Sequence, residues 1–215
     1  TIAERNGVEM YDVYTGFKWI ANVMRENEGK KNYIGGGEES YGFLCEDFVR
    51  DKDAVSACVI LAEIAAWAKD QGLSLYQLLQ KIYVEYGFSK EKGISVVKKG
   101  KSGAEEIEAM MKKFRENPLT EIAGSKVTYF YDYSTLKGKD YAENETVTLD
   151  MPTTSNVLQY FTEDNTKVSI RPSGTEPKIK FYCEVHSKVK SIDELPEAEK
   201  AAEEKINQIK ASLGI

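Results

Sequence analysis

The sequence predicts an α/β partial domain, a strand–helix layer, followed by an α+β domain with a mostly antiparallel sheet covered by helices. Three observations predict this. Residues 1–90 alternate short strand-like runs with helical periods, the order of an α/β layer. Residues 91–215 hold five strand-like runs separated by turn residues. The chain closes on a helix with Ala198, Ala202, Ile206, Ile209 and Leu213 on one stripe, enough to cover one sheet face.

Taken in order, residues 8–14 read as a short strand, and Thr15-Gly16 opens a helix with apolar positions Phe17, Ile20, Val23 and Met24. Residues 32–36 read as a second strand running into the loop GGGEESYGF. Asp51 or Asp53 caps a helix over residues 54–69, which is apolar on most sides and so expected to be buried. Ser74 caps the amphipathic run LYQLLQKIYVEY, which stops at Gly87. Residues 88–101, FSKEKGISVVKKGK, are polar and glycine-punctuated, with five lysines. They read as a solvated connector between domains 1–90 and 91–215. Ser102 caps the helix AEEIEAMMKKFREN. The strand-like runs KVTYFYDY, ETVTL, NVLQYF, KVSIR and KIKFYCEV follow, and TEDNT joins the third and fourth as a hairpin.

Composition narrows the function. A hydrophobic share of 41% and a charged share of 30% are those of a globular protein. The net charge of −6 argues against nucleic acid as a partner, while a local cluster of donors still suits a small anion. No run approaches the apolar length of a membrane span, and the first residues resemble no secretory signal. Cys45, Cys58 and Cys183 are scattered without metal-ligand spacing, so buried thiols in a reducing cytoplasm are expected.

Residues 171–175, RPSGT, lie between two strand candidates. Arg171 offers a planar fork suited to two phosphate oxygens, and Ser173 and Thr175 add hydroxyl donors. Gly174 is expected to let the backbone turn tightly, so that successive N–H groups form an anion-binding nest. Lys178 and Lys180 follow in a strand and share a face. Phosphate binding is one reading, and a plain hairpin turn with an exposed arginine is the other.

The second constellation, residues 35–42, GGGEESYG, sets glycines around two carboxylates and a hydroxyl. Its acidity and the missing Gly-Lys-Ser/Thr ending exclude a phosphate P-loop. A carboxylate can bridge two neighbouring sugar hydroxyls, with Ser40 beside it. A paired-carboxylate acid/base site, a metal site and a turn of solvated acids remain open alternatives.

Together, GGGEESYGF and RPSGTEPKIKFY resemble two signature loops of the α-D-phosphohexomutase superfamily, which includes phosphoglucomutases and phosphomannomutases. TGFKW at residues 15–19 and RDKD at residues 50–53 match family segments too, so the resemblance covers nearly the whole chain. Members have four domains around a central cleft. The chain resembles the later part of the third, α/β domain and then the α+β fourth. The resemblance implies that Thr15, Gly16, Glu38, Ser40 and Lys52 line a sugar site. It also implies that Arg171, Ser173, Gly174 and Thr175, assisted by Lys180, grip the phosphate that is not being transferred. Glu39 and Tyr41 are expected as loop support.

Two family elements are missing from the sequence: the phosphoserine loop near Thr-Ala-Ser-His-Asn-Pro and the metal loop Asp-Gly-Asp-Gly-Asp. The single histidine, His186, follows a strand and is expected as an ordinary strand-end residue. The resemblance therefore implies the sugar-phosphate-binding portion of a cytoplasmic enzyme, inactive alone and completed by N-terminal domains. No cofactor is expected on this chain, with Mg2+ held elsewhere in the intact enzyme. The intact reaction would move phosphate between C1 and C6 of a hexose through a bisphosphate. EESYGF resembles the phosphoglucomutase and phosphopentomutase branch more than the phosphoglucosamine mutases. A phosphopentomutase or phosphomannomutase, or a free-standing sugar-phosphate-binding module, are the alternatives.

Overall fold

The computed structural model describes residues 1–98, 100–174 and 176–215. They form two compact units, Thr1–Ile82 and Tyr83–Ile215.

The first unit begins with the short helix α1 (Ile2–Arg5). Residues 8–14, expected as a strand, form none and pair with no strand among the described residues. Their polar side chains bond locally instead: Tyr11 donates to Glu9 at 2.6 Å, and Lys31 donates to both at 2.5 and 2.7 Å. Helix α2 (Phe17–Glu26) forms as its periodicity predicts, with Phe17 and Met24 buried. Those two join Leu44 in a small core flanked by Ile20 and Tyr33. The expected second strand is shifted into the glycines. β1 (Gly35–Gly37) pairs antiparallel with β2 (Phe43–Cys45). Gly36 permits this register, because a Cβ there would stand 2.6 Å from the Tyr33 hydroxyl and 3.0 Å from Ile20 Cγ2.

Asp53 caps α3 (Ala54–Asp70), its carboxylate accepting from the N–H groups of Val55 and Ser56. The expected burial of this helix is not met. Ala68 alone is buried, and Val59, Leu61, Ile64 and Trp67 are exposed. Periodicity reports how apolar a helix is, whereas burial needs a covering layer, and among the described residues β2 is the one element that α3 packs against more than slightly. Helix α4 (Leu75–Tyr86) carries the expected Ser74 cap: Gln77 N–H donates to Ser74 Oγ at 3.2 Å, and Gln77 Oε1 accepts from Ser74 N–H at 2.8 Å.

The second unit contains β3 (Phe88–Val97), α5 (Gly100–Glu116), β4 (Glu121–Ile122), β5 (Ser125–Asp132), β6 (Lys137–Asp140), β7 (Glu145–Thr148), β8 (Leu158–Thr162), β9 (Lys167–Pro172), β10 (Lys178–Ser187) and α6 (Leu195–Leu213). The strands form one eight-stranded antiparallel sheet in the order β3-β10-β9-β8-β5-β6-β7, with β4 paired to β5. The segment read as a connector is therefore the edge strand β3, paired with β10 along its whole length. The division expected at residue 90 falls inside it.

Alternation explains the packing. Val168, Ile170, Ile179, Phe181 and Cys183 point to one face and are fully or almost fully buried beneath α5 and α6. Arg171, Ser169, Lys180 and Tyr182 occupy the other face. The α6 stripe is buried as predicted, apart from half-buried Ala198. Helix α5 starts at Gly100, two residues before the expected Ser102 cap. Gly103 leaves room there for the Lys98 carbonyl, which a Cβ would overlap. Burial pushes the Cys183 thiol up to about 11. Cys45 is half-buried and Cys58 exposed, against the expectation that all three thiols are buried.

Candidate functional site

In the first unit the predicted sugar-site residues come from three segments. Gly16 precedes α2 with φ 118, a conformation open to glycine and strained for any other residue. The β1–β2 loop is closed by the Glu38 N–H donating to the Gly42 carbonyl at 2.8 Å. The Glu38 side chain folds back over Gly42. The segment before α3 is tied to β2 by the Asp53 N–H, which donates to the Phe43 carbonyl at 3.0 Å. It delivers Lys52, whose Cδ lies 3.1 Å from the point a Gly42 Cβ would occupy. Lys52 Nζ stands 6.0 Å from the ring of Phe17, the residue after Gly16. Its near partner is Asp51 at 3.2 Å. The Lys52 N–H, and then the ammonium, hold the Asp51 carboxyl below its ordinary value.

Glu38, Lys52 and the start of α2 are thus brought together, and Thr15 lies beside them, exposed. Ser40 stands at the exposed loop tip. Tyr41 is fully exposed and props nothing, against its expected support role. An ammonium and a carboxylate at one spot suit neutral hydroxyls, since each supplies charge-assisted hydrogen bonds of opposite polarity. Phe17 and Gly42 were missed by the sequence reading. The signal for Gly42 was present as a glycine ending the loop, but the reason for it is visible only in three dimensions.

In the second unit, Arg171 and Lys180 are direct cross-strand partners of β9 and β10 on the face away from the helices. Neither is paired with a carboxylate among the described residues, and Lys180 Nζ lies 5.9 Å from the Tyr182 ring. Lys178 shares that face, as expected, but its ammonium is engaged by Glu176. That contact, followed by the charge of Lys178, lowers the Glu176 carboxyl from its ordinary value.

Backbone bonds brace the turn between these strands. The Ser173 N–H donates to the Lys178 carbonyl at 2.8 Å, and the Lys178 N–H donates to the Glu176 carbonyl at 2.7 Å. The Lys98 N–H reaches the Pro177 carbonyl at 2.9 Å. Ser173 Oγ accepts the Glu176 N–H at 3.3 Å, so this hydroxyl also shapes the turn. Gly174 differs from expectation. Its φ lies outside the left-handed range, and a Cβ there would meet nothing within 4 Å. The turn does not require its conformational freedom, and the position is simply open. Thr175 lies outside the described residues. Two neighbouring cations that form no ion pair among the described residues, beside a braced turn, suit a phosphate dianion.

His186 sits exposed at the end of β10, 2.9 Å from Glu184, as expected of a strand-end residue. Among the described residues, no group of three or more His, Cys, Asp or Glu side chains stands arranged for a metal ion. Among them too, no helix is long and apolar enough to cross a membrane.

Residues 1–86 match the family model described as "Phosphoglucomutase/phosphomannomutase, alpha/beta/alpha domain III". Residues 95–202 match "Phosphoglucomutase/phosphomannomutase, C-terminal domain". A phosphoglucomutase from Staphylococcus haemolyticus is 37% identical over 185 residues, which cover 86% of this chain and 33% of its own. One from Staphylococcus aureus is 40% identical over 182 residues, covering 85% and 33%. The chain spans about a third of the length of these curated relatives. Among solved structures, the open form of the exocytosis-sensitive phosphoprotein pp63/parafusin from Paramecium, a phosphoglucomutase, overlays with a TM-score of 0.55. It shares 20% identity and covers 88% of this chain and 31% of its own, a likeness that bears on the fold.

Proposed function

Because the chain belongs to the phosphoglucomutase/phosphomannomutase family, we propose that it is the substrate-holding portion of a phosphoglucomutase-type enzyme. That enzyme interconverts hexose 1-phosphate and hexose 6-phosphate through a bisphosphate, in the cytoplasm. The observation that carries the reading is the Arg171–Lys180 pair, two cations opposed across one ladder, neither of them in an ion pair among the described residues. Like charges directly opposite one another destabilise a sheet, so such a pair favours an anion between them.

In this reading Arg171 grips phosphate oxygens through its fork, and Lys180 adds a second cation. Ser173 and Gly174 lie in the turn, with Gly174 leaving space for the ligand, and the Thr175 hydroxyl is proposed as a further donor to the phosphate. Glu38 accepts hydrogen bonds from ring hydroxyls, while Lys52, Ser40 and the Thr15-Gly16 segment complete the sugar site. Dividing phosphate from sugar recognition suits a bisphosphate intermediate, because either phosphate can then occupy the same grip. In this reading magnesium and the phosphate-donating serine are supplied by other domains of the intact enzyme, and no transfer step is assigned to this chain.

Titration calorimetry of the 215-residue chain tests the division. Charge-assisted bonds are worth about 1.5–3 kcal/mol, so Arg171→Ala should weaken inorganic phosphate and glucose 1-phosphate alike, by roughly 10- to 100-fold. Glu38→Gln should weaken glucose 1-phosphate and leave inorganic phosphate unchanged. Unaltered phosphate binding in Arg171→Ala would make the turn structural and overturn the proposal.

A further inference from the structure

We propose that Gly42 is a positioning residue whose missing side chain sets Glu38 and Lys52 in place. The inference rests on the proposed sugar-reading role of those two residues. Gly42 does not hold its place through backbone conformation, for its φ is outside the left-handed range. Its space is taken from the side. A Cβ there would overlap Glu38 Oε2, stand 3.3 Å from Glu38 Cδ and press to 3.1 Å from Lys52 Cδ. Gly42 is buried, with these two side chains against it.

The consequence separates stability from recognition. The atoms a methyl group would displace belong to flexible side chains, Glu38 half-buried and Lys52 exposed, and both can swing aside at little cost. An alanine also restricts the unfolded chain, which offsets part of any loss. Gly42→Ala therefore leaves the hairpin folded and moves the carboxylate and the lysine stem off the sugar site.

The test compares wild type, Glu38→Gln, Gly42→Ala and the double variant by calorimetric titration with glucose 1-phosphate and with inorganic phosphate. Melting temperatures are measured alongside. Gly42→Ala should melt within about 2 °C of wild type. It should bind inorganic phosphate normally and weaken glucose 1-phosphate by about tenfold, the loss of one good hydrogen bond. In the Glu38→Gln background the same change should cost less than about threefold, because coupled residues do not add. Independently of ligand, the NMR resonances of Glu38 Cγ and Lys52 Cδ should shift in Gly42→Ala while the β1–β2 amide signals stay in place. Unshifted resonances, full additivity, or a lowered melting temperature with lost inorganic phosphate binding would each overturn the inference. If Glu38→Gln weakens glucose 1-phosphate but Gly42→Ala does not, the inference alone falls. If neither variant does so, the sugar-reading role falls and takes the inference with it.

Discussion

Lys180→Met gives two effects of opposite sign if the β9–β10 cation pair exists for an anion. Opposed residues on neighbouring strands have Cβ atoms about 4.5–5.5 Å apart, and longer side chains place the charges of Arg171 and Lys180 further away. At about 7 Å in a water-like dielectric, their repulsion is about 0.6 kcal/mol. Methionine retains the length and the apolar stem. Without phosphate and at low salt, the variant should therefore be more stable by roughly 0.5 kcal/mol, about 1–2 °C in Tm.

With phosphate the order reverses. Wild type at 100 times its Kd gains about 2.7 kcal/mol from ligand linkage. A 10- to 100-fold weaker Kd leaves the variant only about 0.4–1.4 kcal/mol at the same concentration. Scanning calorimetry across a phosphate series should show the two melting curves crossing. Lys178→Met should show no crossing, since Glu176 already engages that ammonium. A Lys180→Met variant that is less stable without phosphate and keeps the full phosphate gain would make Lys180 a packing residue and refute the reasoning.

Gly138→Ala should destabilise the second unit by about 1–3 kcal/mol in urea melts, since the new Cβ would stand 2.5 Å from Tyr131 Cδ1 and 3.0 Å from the Phe130 carbonyl. An unchanged midpoint would mean that the Tyr131 ring moves freely. Asp164 gives an acid dependence. Burial alone would raise its carboxyl, but hydrogen bonds from Lys205, Thr162 and Thr166 outweigh it and hold the group well below the usual carboxylate range. Its contribution is present above the unfolded value near 3.9 and is lost as pH falls through the lower folded value. Solvent screening limits it to about 1 kcal/mol for a side chain this exposed. Asp164→Asn should thus cost stability at neutral pH, with the gap to wild type closing below about pH 3, and a gap constant with pH would refute the linkage.

The legible parts of the sequence were those in which one periodicity has one cause. β8, β9 and β10 alternate because one sheet face lies under α5 and α6, and that alternation survives in the residue types. β3 was hidden because Phe88, Ile94 and Val96 face the core across an edge strand whose other residues include Lys90, Glu91 and Lys92. β6, KGKD, carries two lysines and a glycine beneath Tyr131, so nothing in its composition announces a strand. The exposure of α3 lay beyond any helical pattern, which reports the helix and not its neighbours. In the candidate sites, residue types named the chemistry, and register supplied what they could not. The opposition of Arg171 and Lys180 depends on where two strands align, and the role inferred for Gly42 depends on side chains from two other positions.

The pairing of β3 with β10 also shapes how the chain is made. Val97 pairs with Lys178 and Phe88 with Ser187, so the contacts span roughly 80 to 100 residues. At about 5–20 residues per second of synthesis, β3 waits some 5–20 s for its partner strand. Its ladder groups are unpaired throughout that interval, the circumstance in which an apolar strand recruits a neighbouring chain. The lysines and glutamate that made the segment look like a linker are then its protection, keeping it solvated until β10 is complete. The same long span closes the sheet late, at the strand that carries Lys180, and α6 can cover it only afterwards.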